Sequence, residues 1–265
     1  MSQTKAQLIS DLVQALAFTA TSSAPANGVY LSATNTLSFA TNSGERLSID
    51  SNGNATLNGI SLGRGLGNVA TNTVFGNNAL DANTTGAQNT AIGDEALTSN
   101  TTGSQNIAIG GEALEANVSG ATNIAIGFRA LEANTTASEN TAVGRNALAV
   151  NTTGAQNVAL GAYALDANTT GNNSTAVGYQ ALTANTASNS TAVGRRALYA
   201  NSSGGNNSAF GQNALANNAT GAHNTAVGKS ALELNTTGNN NTAVGSLALD
   251  SNTSSNNSTA VGYAA

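Results

Sequence analysis

The side chains with chemistry to offer in this 265-residue chain are few, and several recur at multiples of one spacing. Glu112, Glu115 and Glu132 are the group a polysaccharide hydrolase would draw on, one carboxyl donating a proton and another activating water or attacking the sugar. Arg129 lies one period after Glu112, which reads more simply as an exposed ion pair between adjacent turns of a repeat. Catalysis is therefore not expected. Tyr163, Tyr179 and Tyr199 are candidate stacking platforms for a receptor or glycan, with Arg129, Arg195 and Arg196 as its charged contacts. A solvated face free to drift would give the same pattern. His223 stands alone in a turn where Asn or Gln stands elsewhere, and it reads as a surface substitution. The chain has no cysteine, so disulfides and thiolate metal sites are unavailable, and no metal or cofactor is expected.

Positioning falls to a repeat. Asn89-Thr90-Ala91-Ile92-Gly93-Asp94-Glu95-Ala96-Leu97 is followed by a polar turn, and the same wording starts again at Asn106. The phase-marking glycines are Gly76, Gly93, Gly110, Gly127, Gly144, Gly161, Gly178, Gly194, Gly211, Gly228, Gly245 and Gly262, always 17 residues apart except for the step of 16 from Gly178 to Gly194. A period in this range predicts an all-β solenoid of about eleven 17-residue coils, each stacked only on its neighbours. Gly, Asn and β-branched residues at fixed places suit one coil of short strands and tight turns.

Side chains alternate across a strand, so Thr141 and Val143 share one face and Ala142 takes the other. The Val143 position is apolar in every copy, from Phe75 to Val261, and the Ala row is nearly invariant. A second apolar ladder runs from Leu80 to Leu249, and the coil's burial is expected from this ladder together with the Val143 row. The Ala and Gly face invites a close neighbour, either the opposite wall of the coil or another chain. Asn83, Asn100, Asn117, Asn134, Asn151 and Asn168 are expected to stack as a ladder whose amides satisfy turn backbone groups. Such a coil is thin for its length, and covering a further face between chains predicts a homotrimer wound around one axis.

Ahead of the repeats, residues 1–17 read as an amphipathic helix in which Ile9, Leu12 and Leu16 form a seam for trimer assembly or docking. Residues 18–58 read as a small β module of three antiparallel strands at Val29–Ser32, Thr36–Ala40 and Arg46–Asp50, residues 59–71 as a transition or capping coil, and 72–265 as the solenoid shaft. Charged residues are 8% of the chain and the net charge is −5, with no basic footprint for nucleic acid. No apolar run is long enough for a membrane-spanning helix, no C-terminal membrane barrel is visible, and the N-terminus does not read as a secretory signal. Membrane insertion is not expected.

The segments Asn106-Ile107-Ala108-Ile109-Gly110 and Asn140-Thr141-Ala142-Val143-Gly144 resemble the head repeat of trimeric autotransporter adhesins of the YadA type. The longer wording with Ala-Leu and Asn-Thr-Thr-Gly, and the segment Glu45 to Asn54, is similar to phage tail fibres. That resemblance implies a homotrimeric virion fibre that mediates or supports host attachment, joined to a tail or baseplate protein through its N-terminal region. It also implies a host surface glycan or protein as receptor, and a separate tip protein would be one way to cover the C-terminal end. The alternatives are a cell-surface adhesin head, or a single-chain solenoid that binds glycan or ice. Consecutive threonines such as Thr152-Thr153 point to opposite sides in extended chain, which disfavours ice. The Asn-Thr-Thr triplets match a glycosylation acceptor, but a structural turn explains them as well.

Overall fold

A computed structural model describes residues 27–265, apart from positions 34, 35, 43, 51, 52, 59, 66 and 68. The helix expected over 1–17, with Ile9, Leu12 and Leu16, lies outside the described residues. The chain divides into two compact units, residues 1–63 and 64–265. No helix occurs among the described residues.

In the first unit, β1 (Asn27–Ala33), β2 (Thr36–Thr41), β3 (Gly44–Ile49), β4 (Ala55–Leu57) and β5 (Ile60–Gly63) pair in sequence as an antiparallel meander. The three expected strands are present, and two more follow where the sequence predicts turn and coil. These two have only three and four residues and sit among glycines, which hid their alternation. Leu57 pairs with Ile60, and Asn58, which follows Leu57, takes the left-handed φ of 49 that a tight hairpin turn favours. The turn between β3 and β4 is held by Asp50, whose carboxylate accepts from the Asn54 backbone N–H at 2.8 Å and side-chain amide at 3.1 Å. Register aligns Phe39, Leu47, Leu57 and Ile60 across four strands, and three of the four, Phe39, Leu57 and Ile60, are exposed. The meander thus shows a bare apolar row.

The second unit is a β-solenoid. Twelve short strands, beginning with β6 (Thr73–Gly76) and β7 (Thr90–Ile92) and ending with β17 (Thr259–Val261), stack in parallel with like residues paired, Thr90 on Ile107 and Ala91 on Ala108. The register advances by 17 residues per coil, and by 16 only between β12 (Thr175–Val177) and β13 (Thr191–Val193). Eleven steps at about 4.8 Å make a stack roughly 50 Å long. Ahead of β6, Gly65 and Gly67 lie so close to the Leu80 and Asn83 carbonyls that a side chain at either would collide with the first coil.

One coil shows how the sequence makes the path. After the strand Thr141–Val143, Gly144 takes φ 134, a conformation that L side chains rarely adopt, and a Cβ there would lie 2.6 Å from the carbonyl carbon of Gly161 in the next coil. The Ala147 N–H donates to the Gly144 carbonyl at 3.2 Å, closing a four-residue turn whose third residue, Asn146, is left-handed at φ 55. Leu148 follows at φ 52, and the Asn151 N–H donates back to its carbonyl at 3.2 Å. Further on, Gln156 is left-handed at φ 61. Three non-glycine residues per coil therefore sit in a region that usually costs about 1–2 kcal/mol each.

The interior is narrower than the sequence implied. Ala142, Ala147 and Leu148 and their equivalents fill it, at zero exposure in every coil but those at the two ends of the stack. The Ala row therefore faces the opposite wall of its own coil. The Val143 row, expected to share the burial, points outward: Phe75, Leu160 and Phe210 are 49%, 46% and 41% exposed. Alternation settles this, because a strand whose Ala faces a wall one Leu thick must turn both flanking residues away from it.

Two columns of buried polar groups complete the interior. Asn140 accepts the Asn157 backbone N–H on its Oδ1 at 2.9 Å and donates Nδ2 to the Gly154 carbonyl at 2.9 Å. Asn151 donates to the Gly154 carbonyl at 2.9 Å and to Asn134 Oδ1 in the preceding coil at 3.1 Å. The asparagine ladder expected from the sequence is present, and a second one runs beside it. Both are interrupted near the short coil. Ser174 and Ser190 replace the first column's asparagines, leaving contacts of 3.5 and 3.4 Å. In the second, Asn185 donates only to the Ala187 carbonyl, at 2.7 Å, because Thr186-Ala187 replaces the usual Thr-Thr-Gly.

Candidate functional site

Two surfaces of the solenoid carry chemistry. The first is the outward strand face. One column runs Thr73, Thr90, Ile107, Ile124, Thr141, Val158, Thr175, Thr191, Ser208, Thr225, Thr242 and Thr259, and the other is the apolar row from Phe75 to Val261. Monomeric proteins rarely expose contiguous apolar patches beyond roughly 300–600 Å², and this one continues along every coil. It is the feature that sequence reasoning misplaced. Its signal was the strict Ala row, which leaves the interior no room for the larger residues beside it.

The second surface is the corner after each phase-marking glycine. There the main chain carries its most variable pair, of which the first residue is exposed in most coils and the second partly buried. The three glutamates singled out as a carboxylate group do converge. One carboxylate oxygen from each of Glu112, Glu115 and Glu132 lies within 4.8 Å of the others, all partly exposed. Arg129 occupies the middle, with Nε 2.7 Å from Glu112 Oε2 and Nη2 2.9 Å from Glu132 Oε1. Its guanidinium is held protonated by the hydrogen bond to Glu112 and by the two carboxylates. Glu115 has its pKa raised, first by burial and then by the charges of Glu95, Glu112 and Glu132, against which Arg129 works. These carboxylates are close enough together to hold a cation, and Arg129 already supplies one to two of them.

Tyr163 and Tyr179, on successive coils, meet edge to face with ring centroids 6.1 Å apart. Arg145 lies over the Tyr163 ring at 5.9 Å. Arg129 leans over Phe128 at 5.7 Å. Tyr199 does not join the tyrosine pair. It lies farther along its coil, where Arg196 covers its ring at 4.3 Å. Arg196 Nε is buried without a hydrogen-bond partner, so this cation is held by stacking rather than by a carboxylate. Arg195 is exposed. Phe128 and Arg145, outside the expected contact set, belong to this strip, since position after the glycine rather than residue type decides membership.

Other candidates resolve into structure. His223 is exposed at the left-handed turn position, φ 59. Asn151, first residue of a glycosylation triplet, has its Nδ2 buried and engaged in two hydrogen bonds, which leaves no access for a transferase once the coil is folded. Among the described residues, no helix is long and apolar enough to cross a membrane.

The chain matches no known protein family, no curated protein and no solved structure.

Proposed function

We propose that the chain is a structural fibre segment that assembles as a homotrimer and supports attachment of a virion to its host cell surface. The observation that carries this reading is the outward apolar row, which runs the length of the solenoid on one face. A second bare row, Phe39, Leu57 and Ile60, stands on the β meander. Apolar side chains in unbroken file are stabilised by cover, and copies turned inward around a common axis cover one another while all pointing in the same direction. Three copies close the ring with each strand face against its neighbours. Attachment then falls to surfaces left outside, such as the corner strip, and the host receptor is a surface glycan or protein. The likeness of the repeat to trimeric adhesin heads and tail fibres supports the same reading.

The test is the absolute mass in solution, by light scattering over a dilution series. Three times 26.0 kDa, about 78 kDa, is the expected result. Replacing Val143 and Leu160 by Asp should dissociate that species, since two charges per chain would have to be buried without partners. A monomer that stays soluble at all dilutions would overturn the trimer and favour a single-chain solenoid working through a lateral face.

A further inference from the structure

The corner strip is divided by charge. At the corners of the coils that begin with Gly93, Gly110 and Gly127 stand Asp94, Glu95, Glu112, Glu115 and Glu132, balanced only by Arg129. The next corners, from Gly144 to Gly194, reverse the sign. They present Arg145, Tyr163, Tyr179, Arg195 and Arg196, and their one carboxylate is Asp166, whose pKa burial pushes up. Among the described residues, no carboxylate lies within ion-pairing distance of Arg145, Arg195 or Arg196. Arg145 and Arg195 are exposed, and Tyr179 is 46% exposed beside Tyr163.

The order of these groups along the stack names a ligand. Arg145 and Arg195 are three coils apart, roughly 14 Å, with the two tyrosines on the coils between them. Guanidinium groups pair with carboxylates through parallel N–H donors. Aromatic rings stack on flat apolar faces, including the C–H faces of sugars. A nucleic acid strand carries a charge at every unit and would ask for a cation at every coil or two. A polysaccharide in which uronate and neutral sugars alternate matches two exposed cations with one aromatic pair between them.

We propose that Arg145, Tyr163, Tyr179 and Arg195 form a binding strip for an acidic polysaccharide laid along the coil axis. Arg145 and Arg195 take carboxylates of two uronate sugars, and the tyrosine pair supports the neutral sugar between them. The acidic corners toward the N-terminal end limit how far the polymer can run in that direction. This assigns a ligand class to the attachment reading and rests on it for its biological meaning, but binding is a property of one coil stack and is read independently of the oligomer mass.

The experiment uses the full chain with hyaluronate, whose uronate and neutral sugars alternate, against dextran and an oligothymidylate strand, by calorimetric titration at low and high salt. Hyaluronate should bind and dextran should not, with binding weakened by salt. Arg145→Gln with Arg195→Gln, and separately Tyr163→Ser with Tyr179→Ser, should each weaken it by about tenfold or more. Asp250→Asn, three coils beyond Arg195 and away from the acidic corners, should leave it unchanged. The four altered side chains are outside the core, and an unchanged melting temperature verifies the fold of each variant. No binding of hyaluronate by the native chain, equal binding of the oligothymidylate, or undiminished binding by both double variants would each overturn the proposal. Loss of the trimer with binding intact would sink the assembly reading alone.

Discussion

Each coil places three non-glycine residues in the left-handed region, and the side chains found there differ in how well they bear it. Asn, which tolerates that conformation, occupies it at Asn146, Asn173 and Asn206, whereas Thr122 brings a β-branched side chain to φ 59 on an exposed surface. Thr122→Asn should therefore stabilise the chain by about 1 kcal/mol, read as a rise in the denaturant midpoint without a change in slope. A neutral result would mean that neighbouring coils dictate the backbone so firmly that side-chain type no longer matters. The glycine corner was legible beforehand, because only glycine serves a backbone at φ 134 pressed against the next coil, as Gly144 is against Gly161. The left-handed leucines were not. Leu148 takes φ 52 because its side chain is the only large one filling the interior, and no local preference announces that.

At the scale of the coil, the asparagine columns do what a wider apolar core does elsewhere. Asn151→Ala removes the donor to the Gly154 carbonyl and to Asn134 Oδ1, and also the Oδ1 that accepts from Asn168 at 3.0 Å. With every one of these groups buried, the expected loss is about 1–3 kcal/mol for each one left unpaired. Thermal unfolding of the variant checks this, and a loss below that of a single bond would show that water enters the coil. The column through Asn151 was readable from its spacing. The one through Asn140 was not, although Asn106 and Asn140 open repeats as regularly, because a residue before a strand reads as a turn signal until the path of the chain shows it facing inward. The sequence shows which residues share a strand face but not which of the two faces is inside. Alternation fixes pairs of faces, and only the size of the cavity says which face enters it.

Taken whole, the solenoid is a line of nearest-neighbour contacts, and its cohesion is set by the weakest of them. The period was plain in the glycines, including the one step of 16, and from it the number and direction of the coils followed. What the period could not convey is that both asparagine columns fail at the same level. Ser174 and Ser190 hold by contacts of 3.5 and 3.4 Å, and Asn185 does not reach Asn168. Amide hydrogen exchange should therefore show the coils between about residues 172 and 207 opening at lower free energy than those on either side. Uniform protection along the stack would show that the columns contribute little. Tyr179, Arg195 and Arg196 lie on this same stretch, so half of the strip is built over the seam with the least internal bonding. Seen as a mechanical object, the rod has a designated breaking point, and a polymer bound from Arg145 to Arg195 would lie across it like a splint.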